Sequence, residues 1–186
     1  VAIITGASKG IGEGIARTFV RYGAKAVLAA RGEKVLQMAE ELRSQGYEAI
    51  GVQTDVSDEK SVEHLVQTAI SAYGTVDVLV NNAGICTLED FGASDNVIRD
   101  RHIDINIKGV WNVTKAVLPY MKEKRDGRIV VMSSVTGYMV ADPGEAAYAM
   151  TKAALIGFTR AMAREAADYN IRVNAICPGY VRTPLV

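Results

Sequence analysis

Short apolar runs alternate with longer segments of helical periodicity along the whole chain. The first run, at 1–4, leads directly into a glycine-rich turn, and Ile11, Ile15 and Phe19 then recur at helical spacing. Further apolar runs predict strands at 26–30, 49–54, 76–80, 129–132 and 171–176. The segments between them predict helices around 33–44, 62–69, 106–124 and 146–167.

The strand-like runs are apolar throughout instead of alternating with polar residues. Such runs are expected when helices cover both faces of a sheet, and the alternation of strands with helices predicts that the strands are parallel. We therefore expect an α/β fold with a doubly wound parallel sheet, formed by a single domain over residues 1–186. Ligands of such sheets bind at the carboxyl ends of the strands.

The composition argues against several classes of function. Lys and Arg number 21 and Asp and Glu also number 21, so the formal net charge of +0 favours neither nucleic acid nor an anionic membrane as a partner. No apolar run approaches the roughly 20 residues that span a bilayer, so we expect no membrane segment, and we expect no signal peptide.

The cysteines and histidines carry no metal-ligand pattern. Cys86 and Cys177 lie outside any CxxC or CxxH context, which favours two reduced thiols and a cytoplasmic location. His64 and His102 share no ligand spacing with each other or with a pair of carboxylates. We therefore expect no metal site.

A glycine-rich loop at 5–12 joins the first predicted strand to the first predicted helix. Gly6 permits a sharp exit from the strand, whereas Gly10 and Gly12 let a pyrophosphate approach the backbone and let the helix pack closely. The helix N-terminus adds N–H groups and a partial positive charge for that anion. The spacing differs from GxGxxG and a plain tight turn is the alternative, but three glycines in the first strand–helix turn favour nucleotide binding.

The TGxxxGxG pattern of Thr5, Gly6, Gly10 and Gly12 resembles that of the classical short-chain dehydrogenase/reductase family. The resemblance continues in order through Asn81-Asn82-Ala83-Gly84, Asn106, Ser134, Tyr148, Lys152 and Pro178-Gly179. It implies a Rossmann-type sheet and an oxidoreductase similar to bacterial 3-oxoacyl-carrier-protein reductases. Members of the family normally continue with a substrate-covering helical segment and a seventh strand, and we expect residues 1–186 to lack that C-terminal segment.

Tyr148 and Lys152 are four residues apart on a predicted helix and therefore share one face. Because an ammonium favours the phenolate, we expect Lys152 to lower the pKa of Tyr148, which then exchanges a proton with a carbonyl oxygen. By resemblance, Ser134 polarises that oxygen, Lys152 holds the nicotinamide ribose and Asn106 holds a relay water. A Tyr–Lys pair by itself is usually an amphipathic surface pair, and Ser133 is the alternative to Ser134.

The spacing between two of these residues departs from the family pattern. Ser134 and Tyr148 are 14 positions apart, one more than is usual for the family. The extra length falls in 138–145, which includes Asp142-Pro143-Gly144. We expect this segment to loop out without disturbing either end.

The second predicted strand ends at Arg31, without the carboxylate that NAD-binding folds place about 20 residues past the loop. Arg31 offers a planar cationic fork for a phosphate, and Lys9 adds a second positive charge. Solvated surface cations are the alternative for each residue, but together the two favour NADP(H) over NAD(H). By resemblance, Asp55 and Val56 contact adenine, with a strand-end turn as the alternative role for Asp55.

The resemblance also assigns the segment after the sixth strand, where Thr183 and the backbone of Val181 contact the nicotinamide amide. The predicted cofactor contacts are Gly6, Ser8, Lys9, Gly10, Ile11, Gly12, Arg31, Asp55, Val56, Asn82, Ala83, Gly84, Tyr148, Lys152, Pro178, Gly179, Val181 and Thr183.

The predicted function is hydride transfer between NADP(H) and a small carbonyl or acyl-carrier substrate. One alternative is an NAD-dependent alcohol dehydrogenase that works in the oxidative direction. The other is a non-catalytic cofactor-sensing protein, which would be expected to have lost Tyr148 or Lys152.

The helix at 146–167 carries the small residues Ala149, Ala153, Ala154, Gly157 and Ala161. By resemblance, this helix and the one from Asn106 form a dimer face, so we expect a homotetramer or homodimer.

Overall fold

The computed structural model describes residues 1–183, so the last three residues of the predicted 1–186 domain lie outside it. Six strands and six α-helices alternate through most of the described chain. The strands are β1 Ala2–Thr5, β2 Ala26–Ala30, β3 Ala49–Gln53, β4 Val78–Asn81, β5 Gly127–Met132 and β6 Ile171–Ile176. The α-helices are α1 Gly10–Arg21, α2 Lys34–Ser44, α3 Glu59–Tyr73, α4 Asn96–His102, α5 Gly109–Lys124 and α6 Ala146–Ala166.

All six strands are parallel and lie in the order β3-β2-β1-β4-β5-β6. The winding of the sheet reverses between β1 and β4, which are neighbours although two strands separate them in the chain. In an open α/β sheet, this switch point leaves a crevice outside the carboxyl ends of the two strands. The doubly wound Rossmann-type fold predicted from the sequence is confirmed.

Two separate hydrophobic cores cover the two faces of the sheet. One core packs α1 and α2 against side chains such as Ile4 and Leu28. The other packs α3, α5 and α6 against side chains such as Ile3, Leu79 and Ile129. Because Ile3 and Ile4 are adjacent yet fully buried on opposite faces, the strand must be apolar at every position, which explains the continuous apolar runs.

The largest departure from the sequence prediction precedes the helix predicted at 106–124. The chain is already helical in α4 and passes through a π-helical turn, Ile103–Lys108, before α5 begins. α4 has seven residues, of which only the adjacent Val97 and Ile98 are apolar, so it offers no apolar periodicity to detect. Its start is fixed by the Asp95 side chain, which accepts a hydrogen bond from the Val97 N–H at 3.0 Å.

The remaining differences are small shifts at the ends of elements. β4 begins at Val78 and not at 76, and the side chain of the preceding Asp77 pairs with the amino group of Val1 and with Lys124. Within residues 1–183, no helix is long and apolar enough to cross a membrane.

Candidate active site

The loop after β1 is shaped by glycines whose positions leave no room for a side chain. Gly6 adopts φ 64°, and a Cβ there would lie 2.8 Å from Asn82 Nδ2. A Cβ on Gly12 would overlap the carbonyl oxygen of Gly6 and approach Asn82 Nδ2 to 2.5 Å. The N-cap of α1 is Lys9, whose side chain has no acceptor for the first-turn N–H groups. This end of α1 therefore suits an anion.

Thr5 and Asn82 hold this loop against β4. The Thr5 hydroxyl accepts hydrogen bonds from the backbone N–H groups of Asn82 and Ala83, each at 3.0 Å. Asn82 Nδ2 donates to the carbonyl oxygens of Thr5 and Gly6 at 3.0 and 3.2 Å. Asn82 thus fixes the shape of the glycine loop.

A cavity of about 200 Å³, here the loop cavity, lies at the carboxyl ends of β1, β2 and β3. It brings together predicted cofactor contacts from widely separated segments. Its walls are Gly6, Ser8, Lys9, Ala29, Ala30, Arg31, Gly32, Thr54, Asp55, Val56, Ala83, Gly84, Ile85 and Ile105. Lys9 and Arg31 are exposed, and neither forms a salt bridge with any residue of the described chain.

Asp55 has a structural role as well as a place in the wall of the loop cavity. Its Oδ1 accepts hydrogen bonds from the backbone N–H and the hydroxyl of Ser57 at 2.9 and 2.6 Å. The Ser57 hydroxyl is the main cause that lowers the pKa of Asp55, and the charge of Arg31 lowers it further. The strand-end turn that the sequence allows for Asp55 is therefore present, in addition to its position in the cavity.

A second cavity of about 100 Å³, here the central cavity, continues across the switch point. Its walls are Ile11, Asn82, Gly84, Met132, Ser133, Ser134, Tyr148, Lys152, Pro178, Gly179, Val181 and Thr183. The backbone N–H of Val135 donates to the carbonyl oxygen of Pro178 at 3.0 Å, which joins the Ser134 loop to the segment after β6. A Cβ on Gly10 would lie 3.2 Å from Thr183 Cβ, so Thr183 rests against the glycine loop.

Two adjacent serines at the end of β5 have different environments. The Ser133 hydroxyl donates to the backbone carbonyl of Lys152 at 2.7 Å and so ties β5 to α6. The Ser134 hydroxyl accepts a hydrogen bond from the Thr136 N–H at 3.1 Å and acts on the Tyr148 phenol as a hydrogen-bond partner. Ser134, and not Ser133, is therefore the serine next to the phenol.

Tyr148 and Lys152 lie on the same face of α6, as their spacing predicts. Lys152 Nζ is 5.5 Å from the centroid of the Tyr148 ring and donates a hydrogen bond to the Met132 carbonyl oxygen at 2.7 Å. The Lys152 side chain reaches the central cavity from within the core and is only 6% exposed. The two side chains that the sequence pairs therefore meet at one wall of the cavity.

The predicted effect of Lys152 on the pKa of Tyr148 is wrong. Burial raises the pKa of the phenol above its ordinary value, and the Ser134 hydroxyl offsets this only in part. Burial also lowers the pKa of Lys152 to about 8. The Lys152 ammonium faces the Tyr148 ring and donates a hydrogen bond to the Met132 carbonyl. For the Tyr148 phenol, the loss of water on burial outweighs any stabilisation of the phenolate by a nearby charge.

Asn106 lies in the π-helical turn and holds the chain that follows β4. Its Oδ1 accepts a hydrogen bond from the Ile85 N–H at 2.8 Å, and its Nδ2 donates to the Ile85 carbonyl and the Thr151 hydroxyl, both at 3.0 Å. A Cβ on Gly84 would lie 3.2 Å from Asn106 Oδ1 and 3.6 Å from Lys152 Nζ. Asn106 is thus beside Lys152 but outside the walls of the three cavities described here.

A third cavity of about 330 Å³, here the distal cavity, lies on the other side of Tyr148. Its walls are Cys86, Leu88, Ser134, Val135, Thr136, Val140, Asp142, Glu145, Tyr148, Gly179 and Tyr180. Ser134, Tyr148 and Gly179 border both this cavity and the central one. The sequence predicts only an ordinary thiol at Cys86 and no role for Glu145, because neither residue belongs to a recognisable motif.

The segment 138–145, predicted to loop out, is exposed only in part: Tyr138, Met139 and Val140 lie at the surface, whereas Glu145 is buried. Ser134 and Tyr148 lie next to each other and line the same two cavities. Both thiols are free. Within residues 1–183, no group of three His, Cys, Asp or Glu side chains is placed to hold a metal ion.

The fold and this site define a nucleotide-binding α/β protein with a tyrosine–lysine pair at the switch point. A family model for short chain dehydrogenase matches residues 1–186, and the chain therefore belongs to that family of oxidoreductases. The resemblance found in the sequence is confirmed.

Known relatives agree with this assignment. The chain is 58% identical to oxidoreductase UcpA of Escherichia coli (strain K12) over 184 residues, which cover 99% of this chain and 70% of that protein. It is 38% identical over 189 residues to 3-oxoacyl-(acyl-carrier-protein) reductase FabG of Staphylococcus aureus (strain N315), covering 97% of this chain and 74% of that protein. A crystal structure of gluconate 5-dehydrogenase from Burkholderia cenocepacia J2315, in complex with NADP and tartrate, matches with a TM-score of 0.94 and 34% identity, covering 99% and 72% of the two chains.

Proposed function

We propose that this protein is an NADP(H)-dependent oxidoreductase of the ketoreductase type, which interconverts a carbonyl compound and its secondary alcohol. The proposal is carried by the position of Tyr148, which borders both the central cavity beside the glycine loop and the distal cavity. A group between two cavities can touch a cofactor on one side and a substrate on the other. A bound nicotinamide dinucleotide supplies or accepts the hydride.

Tyr148 is the proposed general acid and base. A raised pKa keeps the phenol protonated at neutral pH, so it can donate its proton to the carbonyl oxygen as the C=O bond becomes C–OH. Ser134, next to the phenol, is the proposed hydrogen-bond donor that polarises the same oxygen. The protonated phenol is the form that reduction of a carbonyl requires, and the phenolate is the form that oxidation of the alcohol requires.

Lys152 and Asn106 are proposed to support the phenol. Lys152 Nζ reaches the central cavity, where it can hold the ribose of the cofactor and place a positive charge beside Tyr148. Asn106 lies next to Lys152, and its side chain already bonds the Ile85 peptide and Thr151. We infer that Asn106 positions this chain segment in addition to any part in a proton relay.

The preference for NADP(H) is proposed from the charges of the loop cavity. Lys9 and Arg31 bring two cations to it, and both lack a salt-bridge partner in the described chain. β2 carries no acid at its carboxyl end that would repel a 2′-phosphate. The gluconate 5-dehydrogenase with a similar structure was crystallised with NADP, which supports the same choice.

The outer faces of α5 and α6 support a homo-oligomer as a proposal. Trp111 is 57% exposed and its ring lies 6.1 Å from that of Phe158. Beside this pair, Ala153, Ala154 and Gly157 leave the surface of α6 exposed and flat enough for close approach. A homodimer or homotetramer would cover this apolar surface.

The function is tested with Tyr148→Phe. NADPH and NADH titrations followed by fluorescence should show dissociation constants within about twofold of the wild type, because the phenyl ring is kept. Turnover of ketones should fall by a factor on the order of 10² to 10⁴, the range for loss of a general acid. Turnover equal to that of the wild type would contradict the mechanism, and intact cofactor binding without turnover in the wild type would favour the non-catalytic alternative.

A further inference from the structure

The walls of the distal cavity have a marked chemical bias. Leu88, Val135, Val140 and the ring of Tyr180 provide apolar surface. The ionisable side chains in the walls are carboxylates, a thiol and phenols, all of which are acids or weak acids. None of the described residues that line the cavity is Lys, Arg or His. A ligand that carries a carboxylate or phosphate would therefore find no cation there to replace its water.

Glu145 is the acidic group that belongs to the inner wall. It is only 9% exposed, and its Oε2 accepts hydrogen bonds from the Thr136 hydroxyl at 3.3 Å and from the Asp142 N–H at 3.0 Å. Both partners donate, and Glu145 is also the N-cap residue of α6, where the helix dipole favours negative charge. These contacts fix a carboxylate in place three residues before Tyr148.

The charge of Glu145 acts across the cavity. Burial is the largest cause that raises the pKa of both the Cys86 thiol and the Tyr148 phenol, and the Glu145 carboxylate raises both further, while the charge of Lys152 partly offsets the rise at Cys86. Cys86 and Tyr148 are 62 residues apart in the chain but line the same cavity. A ligand seated between them therefore lies within reach of the Glu145 carboxylate.

We propose that Glu145 excludes anionic compounds from the distal cavity, so that the substrate is an uncharged ketone or secondary alcohol with an apolar body. The inference rests on the proposed function, since it takes Tyr148 as the group that meets the carbonyl oxygen. An anionic substrate would lose its hydration next to a like charge, whereas an apolar body gains by contact with Leu88, Val135 and Val140. The cavity volume of about 330 Å³ lies at the lower end of the range for small-molecule sites.

The test compares two ketones that differ by one charge and one methyl group, methyl 4-acetylbenzoate and 4-acetylbenzoate, so the change in their ratio on removal of the Glu145 charge isolates the effect of charge. With the full protein and saturating NADPH at pH 7, kcat/KM for the ester should exceed that for the carboxylate by about tenfold or more. Glu145→Gln should reduce this ratio by about fivefold or more, chiefly by raising kcat/KM for the carboxylate. Glu123→Gln removes an equal charge from an exposed position at the far end of α5, and it should leave the ratio unchanged.

A second variant keeps the proposal testable if Glu145→Gln fails to fold. Leu88 is 65% exposed at the wall, so Leu88→Lys should be tolerated and should favour the carboxylate relative to the ester by about fivefold or more. A wild type that uses both ketones equally, or prefers the carboxylate, would overturn the proposal. So would an unchanged ratio in a folded Glu145→Gln variant.

The two proposals fail on different readouts. Absence of turnover with every ketone, while NADPH still binds, would contradict the oxidoreductase function and would leave the charge of the cavity to be measured directly. In that case, calorimetric titration of the NADPH-loaded protein with the two probes decides the inference. Tighter binding of the ester supports exclusion of anions, and equal or tighter binding of the carboxylate overturns it.

Discussion

Lys152 Nζ lies 5.5 Å from the centre of the Tyr148 ring, on the same face of α6 and in a nearly dry environment. The two groups respond to that environment in opposite directions. Burial raises the pKa of the phenol and lowers the pKa of the ammonium to about 8, because in each case the charged form loses its water. Near neutral pH the pair therefore consists of a protonated Tyr148 phenol beside a Lys152 amine whose pKa is about 8.

The first prediction concerns the pH dependence of activity. If the ammonium form of Lys152 is required, kcat/KM for NADPH should be level below pH 7 and should fall as pH rises through about 8. Measured over pH 6–10, this parameter reports groups of the free enzyme. Lys152→Arg keeps its charge throughout this range and should move the falling limb upward by more than about one pH unit, whereas a wild-type profile that is flat from pH 7 to 9 would contradict the assignment.

The second prediction concerns stability. A folded-state pKa of about 8 against 10.5 means that burying the ammonium costs about 3 kcal/mol below pH 8. Lys152→Met should therefore raise the free energy of unfolding at pH 7, by about 1–3 kcal/mol after loss of the bond to Met132, while it abolishes turnover.

Because burial lowers the pKa of Lys152, this residue makes the folded protein more stable, and not less stable, as the pH rises. Between pH 8 and 10.5 the unfolded chain binds more protons than the folded chain, so the stability of the wild type rises with pH in this window. The advantage of Lys152→Met should therefore shrink between pH 7 and 10. Urea titrations at the two pH values without dinucleotide measure it, and a variant less stable than the wild type at pH 7 would show that the burial cost is misassigned.

The third prediction concerns cofactor choice. Arg31→Asp replaces a cation of the loop cavity with the acid that favours a free ribose hydroxyl. KM for NADPH should rise about tenfold or more and KM for NADH should fall. Arg21→Asp makes the same change in charge at the exposed C-terminal end of α1 and should alter neither value. Equal relative KM values in Arg31→Asp and the wild type would refute the proposed role of Arg31.

The fourth prediction separates two glycines of α1. A Cβ on Gly12 would overlap the carbonyl oxygen of Gly6, which is backbone and cannot rotate away, so Gly12→Ala should destabilise the fold by about 2 kcal/mol or more and prevent dinucleotide binding. Gly14 has nothing within 4 Å of its would-be Cβ, so Gly14→Ala should stabilise the helix by about 0.5–1 kcal/mol and leave binding intact. Thermal unfolding and NADPH titration of both variants measure the contrast. Similar behaviour of the two variants would mean that the close packing of Gly12 is unimportant.

The sequence by itself determined the fold and the positions of most candidate contacts. Apolar runs reveal parallel strands because both faces of the sheet are covered, and the glycine loop follows β1 directly because its chemistry is local to one turn. Tyr148 and Lys152 meet because four residues make about one turn of a helix, whatever surrounds it.

Only the tertiary structure decided how these groups behave. The pKa of Tyr148 depends on how much water the packed chain removes, so a rule based on the nearest charge gave the wrong direction. The short polar helix α4 and the π-helical turn that carries Asn106 escaped detection because contacts with other segments, and not periodicity, hold them. Cys86 and Glu145 share a cavity although 59 residues separate them, and such a meeting of distant segments is set by packing across the sheet rather than by any local pattern.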